Sequence, residues 1–285
     1  MIMLGSHVGM SAPDMFLGSV KEALEYGANT FMVYTGAPQN TVRKPLETLK
    51  IKEGQQLMRA NGIETFVIHA PYIINLANTI NNETYNLAIE CLTTEILRTN
   101  AMGSNTLILH PGAHVGAGPK AGIAKLTEGL NTVLDNTEGC NIALETMAGK
   151  GTEIGRTFEE LEQILDGVHH KERMRICFDT CHVNDAGYDI KNSPEEVFEH
   201  FDQVIGKKMI SVFHINDSVN ILAASKDRHA NIGAGTIGLE PLKKIVHMQE
   251  FENIPKILET PFIPSEANPA VKLPPYKEEI AMLKA

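Results

Sequence analysis

Long apolar runs are absent from this chain of 285 residues, and no stretch approaches the roughly 20 apolar residues that a membrane-spanning helix needs. The N-terminus also lacks a charged segment followed by an apolar one, which is the pattern of a secretory signal. We therefore expect no membrane association and a cytoplasmic location. Apolar residues still make up 43% of the chain, which is enough for a large buried core.

Cysteine is scarce as well. The chain has only four cysteines, Cys91, Cys140, Cys177 and Cys181, which make a poor disulfide framework at this length. Reduced thiols of an intracellular protein are the better interpretation. The C-x3-C spacing of Cys177 and Cys181 is loose for zinc, and no second pair completes such a site. Cys177 lies inside an apolar run, so a buried and unreactive thiol is expected.

Positive charge is in short supply, since the formal net charge is −10. Taken alone, this balance argues against a nucleic-acid partner, because phosphate binding requires a basic face. The local field decides binding, however, and divalent ions held by carboxylates would make their site positive. Net charge therefore does not exclude a nucleic-acid substrate.

The chain does contain six short apolar runs that each end on a potential metal ligand. The terminal residues are His69, His110, Glu145, Asp179, His214 and Glu259. They follow one another at about the length of one strand-plus-helix unit. Two further runs, at residues 2–7 and 31–35, precede them and bring the number of predicted strands to eight.

Helical spacing and capping signals fill the gaps between these runs. The predicted helices cover residues 11–26, 45–60, 83–102, 119–137, 157–166, 194–205, 239–248 and 275–284. Eight strands alternating with eight helices predict a single-domain (β/α)8 TIM barrel over residues 1–285. A doubly wound open sheet also alternates strands and helices, but it would place ligands at one switch point and not at six strand ends.

In a barrel of parallel strands, the C-terminal strand ends all face one bowl, so the six residues would converge there. Burying several carboxylates and imidazoles together is costly unless something compensates their charge. Divalent cations supply that compensation. Imidazole nitrogen together with carboxylate oxygen suits Zn²⁺, with Mn²⁺ or Fe²⁺ as alternatives in some sites.

Two short motifs enlarge the ligand set. Asp179-Thr180-Cys181-His182 places His182 three residues beyond a strand-ending carboxylate, and Asp227-Arg228-His229 lies in the long seventh loop. If that segment is extended, Asp227 and His229 point to the same side. The nine candidates would serve three ions if one carboxylate bridges two of them.

Glycine marks two loops. Gly233-Ala234-Gly235-Thr236-Ile237-Gly238 matches a dinucleotide fingerprint literally, but it does not follow directly on a strand. We interpret it as a turn that brings backbone close to phosphate or metal. The segment 116–119, Gly-Ala-Gly-Pro, is predicted as a turn before a helix.

These residues together resemble a known family. The motifs are His69-x-x-Tyr72-x-Ile74-Asn75-Leu76, His110-Pro111-Gly112, Glu145-Thr146, Asp179-Thr180-Cys181-His182, His214-x-Asn216-Asp217, Asp227-Arg228-His229 and Leu258-Glu259-Thr260. In this order they are similar to endonuclease IV, the zinc-dependent AP endonuclease family of base-excision repair. The resemblance runs from Gly5-Ser6-His7-Val8 to Leu283-Lys284, essentially the whole chain.

The resemblance implies a TIM barrel that holds three Zn²⁺ ions. His69, His110 and Glu145 would bind the first ion, and Glu145 would bridge to a second ion completed by Asp179, His214 and Glu259. His182, Asp227 and His229 would bind the third. Either Glu145 or Glu259 would orient or deprotonate the attacking water.

The implied substrate is double-stranded DNA with abasic sites or blocked 3′ ends. The family cleaves the phosphodiester 5′ to the abasic site, leaving a 3′-hydroxyl and a 5′-deoxyribose phosphate, and it also removes blocking groups from 3′ ends. Tyr72 and Ile73 match the wedge that enters the base stack. The second loop lacks the arginine of some members, which leaves Gln39 or Asn40 as substitutes.

Further candidates for DNA contact lie near the same rim. His7 and His114 are candidates for phosphate contact, with plain rim hydrogen bonding as the alternative. The basic residues Arg43, Lys44, Lys150, Lys226 and Arg228 fall in loops at the active face and could form a basic crescent; scattered surface charge is the alternative. A monomer is expected.

Two other classes compete with a repair nuclease. A sugar isomerase or epimerase on the same barrel also gathers His, Asp and Glu at strand ends, but it needs only about four to six ligands for one or two ions. The extra trio of His182, Asp227 and His229 discriminates against it. A catalytically inactive binding barrel would lack the bridging carboxylate, and Glu145 is present.

Overall fold

A barrel of eight parallel strands forms the centre of the molecule. The structure is a computed structural model that describes residues 2–285, so the predicted domain start at Met1 lies outside the described residues. The strands are β1 (Leu4–Ser6), β2 (Met32–Val33), β3 (Val67–His69), β4 (Thr106–Leu109), β5 (Asn141–Glu145), β6 (Met174–Asp179), β7 (Ile210–His214), β8 (Asp217–Ser218), β9 (His229–Ala230), β10 (Lys256–Leu258), β11 (Ile263–Pro264) and β12 (Lys272–Leu273). The barrel order is β1-β10-β7-β6-β5-β4-β3-β2.

The first and last strands of this order meet through residues just beyond β1. His7 forms a parallel bridge with Met32, and the backbone N–H of Val8 donates to the Met32 carbonyl at 2.9 Å. The barrel therefore closes on itself, and the predicted TIM-barrel fold is confirmed.

Nine α-helices lie among the described residues, one more than predicted. They are α1 (Met15–Glu25), α2 (Ile51–Ala60), α3 (Asn82–Met102), α4 (Pro119–Leu134), α5 (Phe158–Gly167), α6 (Thr180–Ala186), α7 (Pro194–Val204), α8 (Leu239–Val246) and α9 (Tyr276–Lys284). The extra helix is α6, which starts directly after β6. The Asp179 side chain caps it by accepting from the backbone N–H of His182 at 2.8 Å.

The helix predicted over residues 45–60 begins later than expected. Residues 46–48 form a 3-10 turn, and Lys50 has a left-handed backbone with φ 51°. The α-helix therefore starts at Ile51. The helix predicted over residues 11–26 likewise starts only at Met15, and the one predicted over 119–137 ends at Leu134. The predicted turn at residues 116–119 does lead into Pro119 at the first position of α4.

The interior of the barrel explains where the strand-end side chains point. One buried apolar layer consists of Met32, Val67, Ile108, Ala143, Cys177, Val212 and Ile257. Each of the six predicted ligands lies two residues after one of these residues. Because side chains alternate across a strand, a ligand two positions on faces the same side, into the mouth of the barrel.

The long loop after β7 is not irregular throughout. Asp217–Ser218 pairs antiparallel with His229–Ala230, so β8 and β9 form a short hairpin beside the barrel mouth. A second hairpin, β11 with β12, follows β10. None of the helices in residues 2–285 combines the length and the apolar character needed to span a bilayer.

Candidate metal centre

All nine predicted ligands come together at the C-terminal mouth of the barrel. His69, Glu145, Asp179 and His214 are the last residues of their strands, and His110 and Glu259 follow theirs immediately. Three groups have ligand atoms within 4.8 Å of one another. They are His69 with His110 and Glu145, then Glu145 with Asp179, His214 and Glu259, and finally His182 with Asp227 and His229.

Glu145 is the residue that the first two groups share. Its Oε2 lies 3.2 Å from His69 Nε2 and 3.1 Å from His110 Nε2. Its Oε1 lies 2.9 Å from His214 Nδ1. Each oxygen thus faces a different group, which is the arrangement of a bridging carboxylate.

The second group closes around His214. Glu259 Oε2 is 3.0 Å and Asp179 Oδ2 is 3.7 Å from its Nδ1. Asn216 links the two residues, because its side-chain amide donates to Asp179 Oδ2 at 2.8 Å and its Oδ1 accepts from the backbone N–H of Glu259 at 2.9 Å. Sequence reasoning quoted Asn216 within a motif but gave it no part in the site.

The third group lies beside the hairpin. His182 Nε2 is 3.1 Å from Asp227 Oδ1, and His229 Nε2 is 3.7 Å from the same oxygen. The segment is not extended at Asp227, which has a left-handed backbone with φ 48°, so the condition under which the two side chains were to share a side is not met. The two side chains nevertheless reach the same place.

Outer hydrogen bonds orient the imidazoles. The backbone carbonyl of Ala70 lies 2.6 Å from His69 Nδ1, so that nitrogen donates and Nε2 is left to face Glu145. His182 Nδ1 lies 2.9 Å from the carbonyl of Thr146. Such partners fix the tautomer and the ring orientation of a metal-binding histidine.

The electrostatics of the cluster favour charge pairing. Burial alone would lower the pKa of His182, but the carboxylate of Asp179 and hydrogen bonds to Asp227 and Glu145 raise it well above its ordinary value. Burial would raise the pKa of Glu145, but the imidazoles of His214 and His110 hold it well below its usual range. Opposite charges therefore stabilise one another in the bowl.

These residues fit divalent metal ions. No lysine or arginine within residues 2–285 pairs with the four carboxylates of the three groups, whose ionic partners are all histidines. His229 Nε2 is buried without a hydrogen-bond partner and faces the third group. An orphaned imidazole nitrogen among carboxylates is a position that a cation would satisfy.

The thiols of Cys177 and Cys181 lie near the same groups, within reach of Glu145 with His214 and of Asp179 with His229. Burial raises the pKa of Cys177 to about 12, so the thiol stays protonated. Only the thiolate binds metal well, which supports the prediction of a buried, unreactive Cys177. All four cysteines are free and buried.

The backbone of the glycine-rich loop at residues 233–238 donates hydrogen bonds to the buried carboxylate of Asp217. Backbone N–H groups of Gly233, Gly235 and Ile237 donate to Asp217 at 3.0, 3.0 and 2.9 Å. A Cβ at Gly235 would lie 2.3 Å from Asp217 Oδ1, so the close approach requires glycine. The expectation that this turn approaches phosphate or metal is therefore wrong, since its N–H groups are used to anchor the hairpin.

The predicted wedge residues are accessible in the loop after β3. Tyr72 is 53% and Ile73 is 37% exposed, which is unusual for large apolar side chains. Gln39 and Asn40 are exposed in the loop after β2. Asn40 is partly engaged, because its Oδ1 accepts from the backbone N–H of Val42 at 2.9 Å.

Two rim histidines have different surroundings. Burial lowers the pKa of His7, which packs edge-on against Tyr34 with ring centroids 5.3 Å apart. His114 Nδ1 accepts from the backbone N–H groups of Gly116 and Gly118 at 3.1 and 3.0 Å. For His114 the rim hydrogen bonding is thus present in the structure.

Tyr34 was missed by sequence reasoning. It follows the interior residue Met32 by two positions, and its ring lies 5.0 Å from that of His69. The same alternation that located the ligands could have placed it in the bowl.

Arg43, one of the five residues of the predicted basic crescent, is not available at the surface. Arg43 is only 6% exposed in its side chain and forms a buried ion pair with Glu95 of α3. It also donates to the carbonyls of Asn40 and Val42 at 3.0 and 2.9 Å, so it shapes the loop after β2. The remaining four, Lys44, Lys150, Lys226 and Arg228, are exposed.

Known proteins share both the fold and the length of this chain. The model of the xylose isomerase-like TIM barrel family matches residues 20–285. The probable endonuclease 4 of Lachnoclostridium phytofermentans is 57% identical over 284 residues, covering 100% of this chain and 95% of that protein. The probable endonuclease 4 of Staphylococcus aureus is 56% identical over 283 residues, with coverage of 99% and 95%.

Solved structures agree with this result. Endonuclease IV from Thermus thermophilus matches with a TM-score of 0.82 at 26% identity, over 98% of this chain and 99% of that one. A D-psicose 3-epimerase matches with a TM-score of 0.65 at 14% identity, over 99% and 96%, which reflects the fold alone.

By fold and site, the protein is a xylose isomerase-like TIM barrel with clustered metal-ligand side chains at the mouth of the barrel. Within that class, the chain belongs to the endonuclease 4 (endonuclease IV) family, and it is a nuclease. The predicted family resemblance is confirmed.

Proposed function

We propose that this protein hydrolyses the phosphodiester 5′ to abasic sites in double-stranded DNA, leaving a 3′-hydroxyl and a 5′-deoxyribose phosphate, and that it also cleans blocked 3′ ends. The observation that carries the proposal is the shared carboxylate of Glu145 between two ligand groups, with a third group alongside. Full-length relatives named as endonuclease 4 support the same activity.

Three Zn²⁺ ions are the proposed cofactors, with Mn²⁺ or Fe²⁺ as alternatives in some sites. When bound, divalent ions activate water at neutral pH and neutralise charge on the phosphate. The first ion would be held by His69, His110 and Glu145. The second and third would be held by the remaining two groups of ligands.

Glu145 and Glu259 have different proposed roles. The Glu145 side chain is 1% exposed and both of its oxygens face histidines, which suits a bridge. The Glu259 side chain is 18% exposed at the mouth of the barrel. Glu259 is therefore the better placed of the two to orient or deprotonate the attacking water.

The accessible side chains of the loops would bind DNA. We propose that Tyr72 and Ile73 enter the base stack, since an abasic nucleotide must leave the helix to reach the bowl. Gln39, Asn40 and Arg228 are exposed on neighbouring loops and would contact the same duplex. His7 and His114 are proposed as rim contacts to phosphate.

We further propose a monomer that works in the cytoplasm. Every ligand of the three groups comes from one chain, so the site needs no second copy. Four free, buried thiols fit a reducing compartment. Light scattering of the purified protein would test the monomer, and a dimer mass would contradict it.

Incision of an abasic-site duplex, before and after exhaustive metal removal, tests the proposed reaction. We expect cleavage 5′ to the site by the loaded protein and loss of cleavage after metal removal. Glu259→Gln should abolish incision but leave duplex binding largely intact, while Glu278→Gln, on an exposed face of α9, serves as control. Metal content of each variant must be measured alongside. Full turnover by Glu259→Gln would remove Glu259 from the chemistry.

The sugar isomerase alternative predicts a different outcome. Epimerases of the same fold support it only through the backbone, at 13–20% identity. The third ligand group and the exposed wedge residues have no use in a sugar pocket. Interconversion of ketoses without cleavage of abasic DNA would overturn the nuclease proposal.

A further inference from the structure

A short segment between β8 and β9, residues 223–227, has an unusual backbone and is called the strap below. Ala223, Ser225 and Asp227 have φ of 64°, 53° and 48°, in the left-handed region that side-chain-bearing residues rarely adopt. Such a backbone conformation is strained and persists only where its surroundings fix it. The strap therefore needs an anchor.

The anchor is the end of α6. The backbone N–H of Ala223 donates to the Asn184 carbonyl at 3.0 Å, and that of Ser225 donates to the Asp185 carbonyl at 2.8 Å. The backbone N–H of Asp227 donates to the side-chain Oδ2 of Asp185 at 3.0 Å. Each of the three strained residues thus donates one hydrogen bond, and all three bonds go to the consecutive residues Asn184 and Asp185.

The Asp185 carboxylate is fully buried, and no cation within residues 2–285 pairs with it. Ser218 Oγ donates to Oδ1 at 2.7 Å, and Asn220 Nδ2 donates to Oδ2 at 2.7 Å. The Asn184 side-chain amide adds a bond to Oδ1 at 3.1 Å. A buried carboxylate that accepts from these neutral donors holds the loop firmly in place, because hydrogen bonds to an ionised group are roughly twice as strong as neutral ones.

Two of the three members of the third ligand group, His182 and Asp227, lie on the two sides of this anchor. His182 lies on α6 one turn before Asp185, and Asp227 is the last residue of the strap. The Asp185 bond sets the backbone from which the Asp227 side chain reaches to within 3.1 Å of His182 Nε2.

We propose that Asp185 is a positioning residue for the third ligand group, holding Asp227 against His182 so that the group is assembled before an ion arrives. The inference rests on the proposed function, because it takes the third group to be an ion site. Sequence reasoning gave Asp185 no role.

Metal analysis of Asp185→Asn tests the proposal. The amide keeps the size of the side chain, but its NH₂ group replaces one of the two accepting oxygens. In one orientation the NH₂ faces the donors of Ser218 and Asn184, and in the other it faces the donors of Asn220 and Asp227. We expect the loaded variant to lose one ion per chain while the other two remain, with affinity for that ion falling by about 10–100-fold. The control is Asp189→Asn, a nearby aspartate whose side chain accepts hydrogen bonds from Asn192 and touches no member of the three groups; it should leave all ions in place.

The outcomes are distinguishable from failure of the proposed function. Three ions in the wild type with unchanged affinity in Asp185→Asn would overturn the positioning role. Fewer than three in the wild type would instead overturn the three-ion site.

Hydrogen exchange on the metal-free wild type decides the matter without a variant, and it serves also if Asp185→Asn does not fold. We expect peptides covering residues 223–227 to be protected before metal is added. Full exchange of that segment, with protection appearing only on zinc loading, would overturn the claim that Asp185 pre-forms the group.

Discussion

At the scale of single residues, Glu145 is the carboxylate that ties the candidate centre together. It is buried at the end of β5, and its two oxygens face four histidines, His69 and His110 on one side, His182 and His214 on the other. No other carboxylate of the bowl contacts so many ligands. Loss of its charge should therefore affect two ions at once.

Replacing Glu145 by Gln should leave at most one ion per chain, in the third group. The amide offers one weak acceptor where the carboxylate offers two charged ones. Incision should fall by more than the roughly 10–100-fold that an outer partner costs. Elemental analysis and an incision assay would measure both effects, with Glu128→Gln on the exposed face of α4 as control. Retention of three ions would contradict the bridging role.

At the scale of elements, the loops after β2 and β3 are built differently. The loop after β3 presents Tyr72 and Ile73 to solvent, whereas the loop after β2 is fastened to α3. Arg43 and Thr35 both bond to the buried Glu95, and Arg98 donates to the Thr35 hydroxyl at 2.9 Å. This cluster gives the second loop a fixed shape.

Replacing Tyr72 by Ala should weaken binding to an abasic duplex more than binding to a nicked end that is already frayed. Stacking of an aromatic ring on a base contributes about 1–3 kcal/mol, and only the intact duplex must be opened against its own stacking. Fluorescence anisotropy with both substrates would measure the two losses, with Leu97→Ala on the outer surface of α3 as control. Equal losses on both substrates would argue against a wedge.

Replacing Arg43 by Met should lower the free energy of unfolding by about 3–5 kcal/mol, because it leaves the charge of Glu95 buried without its partner. Urea denaturation of the metal-loaded protein would measure it. Lys44→Met, at the exposed neighbouring position, should change stability by less than about 0.5 kcal/mol. A similar small change for Arg43→Met would show that the pair does not support the loop.

At the scale of the whole molecule, the sequence determines the barrel and its bowl more fully than it does the supporting contacts. The six strand-end ligands were predictable because alternation along each strand and the strand–helix repeat are local patterns. The partner of Arg43 and the carboxylate inside the glycine loop were not, since Glu95 and Asp217 are distant in sequence from what they hold. The left-handed backbone of Asp227 depends likewise on a hydrogen bond from another element.

Zinc should stabilise the whole protein increasingly as pH rises. In the metal-free state, burial alone would lower the pKa of His182 and His214. Nearby carboxylates, and for His214 also Cys177, instead raise the pKa well above the ordinary value. That pairing stabilises the metal-free fold at low pH and is lost as pH rises through the raised values. Metal binding needs neutral imidazoles, so the affinity for metal rises over the same pH range.

The difference in Tm between zinc-loaded and metal-free protein should therefore widen as pH rises from about 6.5, the ordinary pKa of histidine, through the raised values. Differential scanning fluorimetry at matched ionic strength would show it. A constant difference across this range would mean that protons do not compete with the ions for these histidines.

Each of the six strand-end ligands lies two positions after a residue of the buried apolar layer, so its direction depends on the register of its strand. A slip of one residue in any of these six strands would exchange the ligand for a neighbour that faces the helices. Six independent alignments must therefore be correct at once before these six side chains can come together in the bowl. Metal retention is thus a test of barrel folding as well as of chemistry, and insertions within these six strands should not be tolerated.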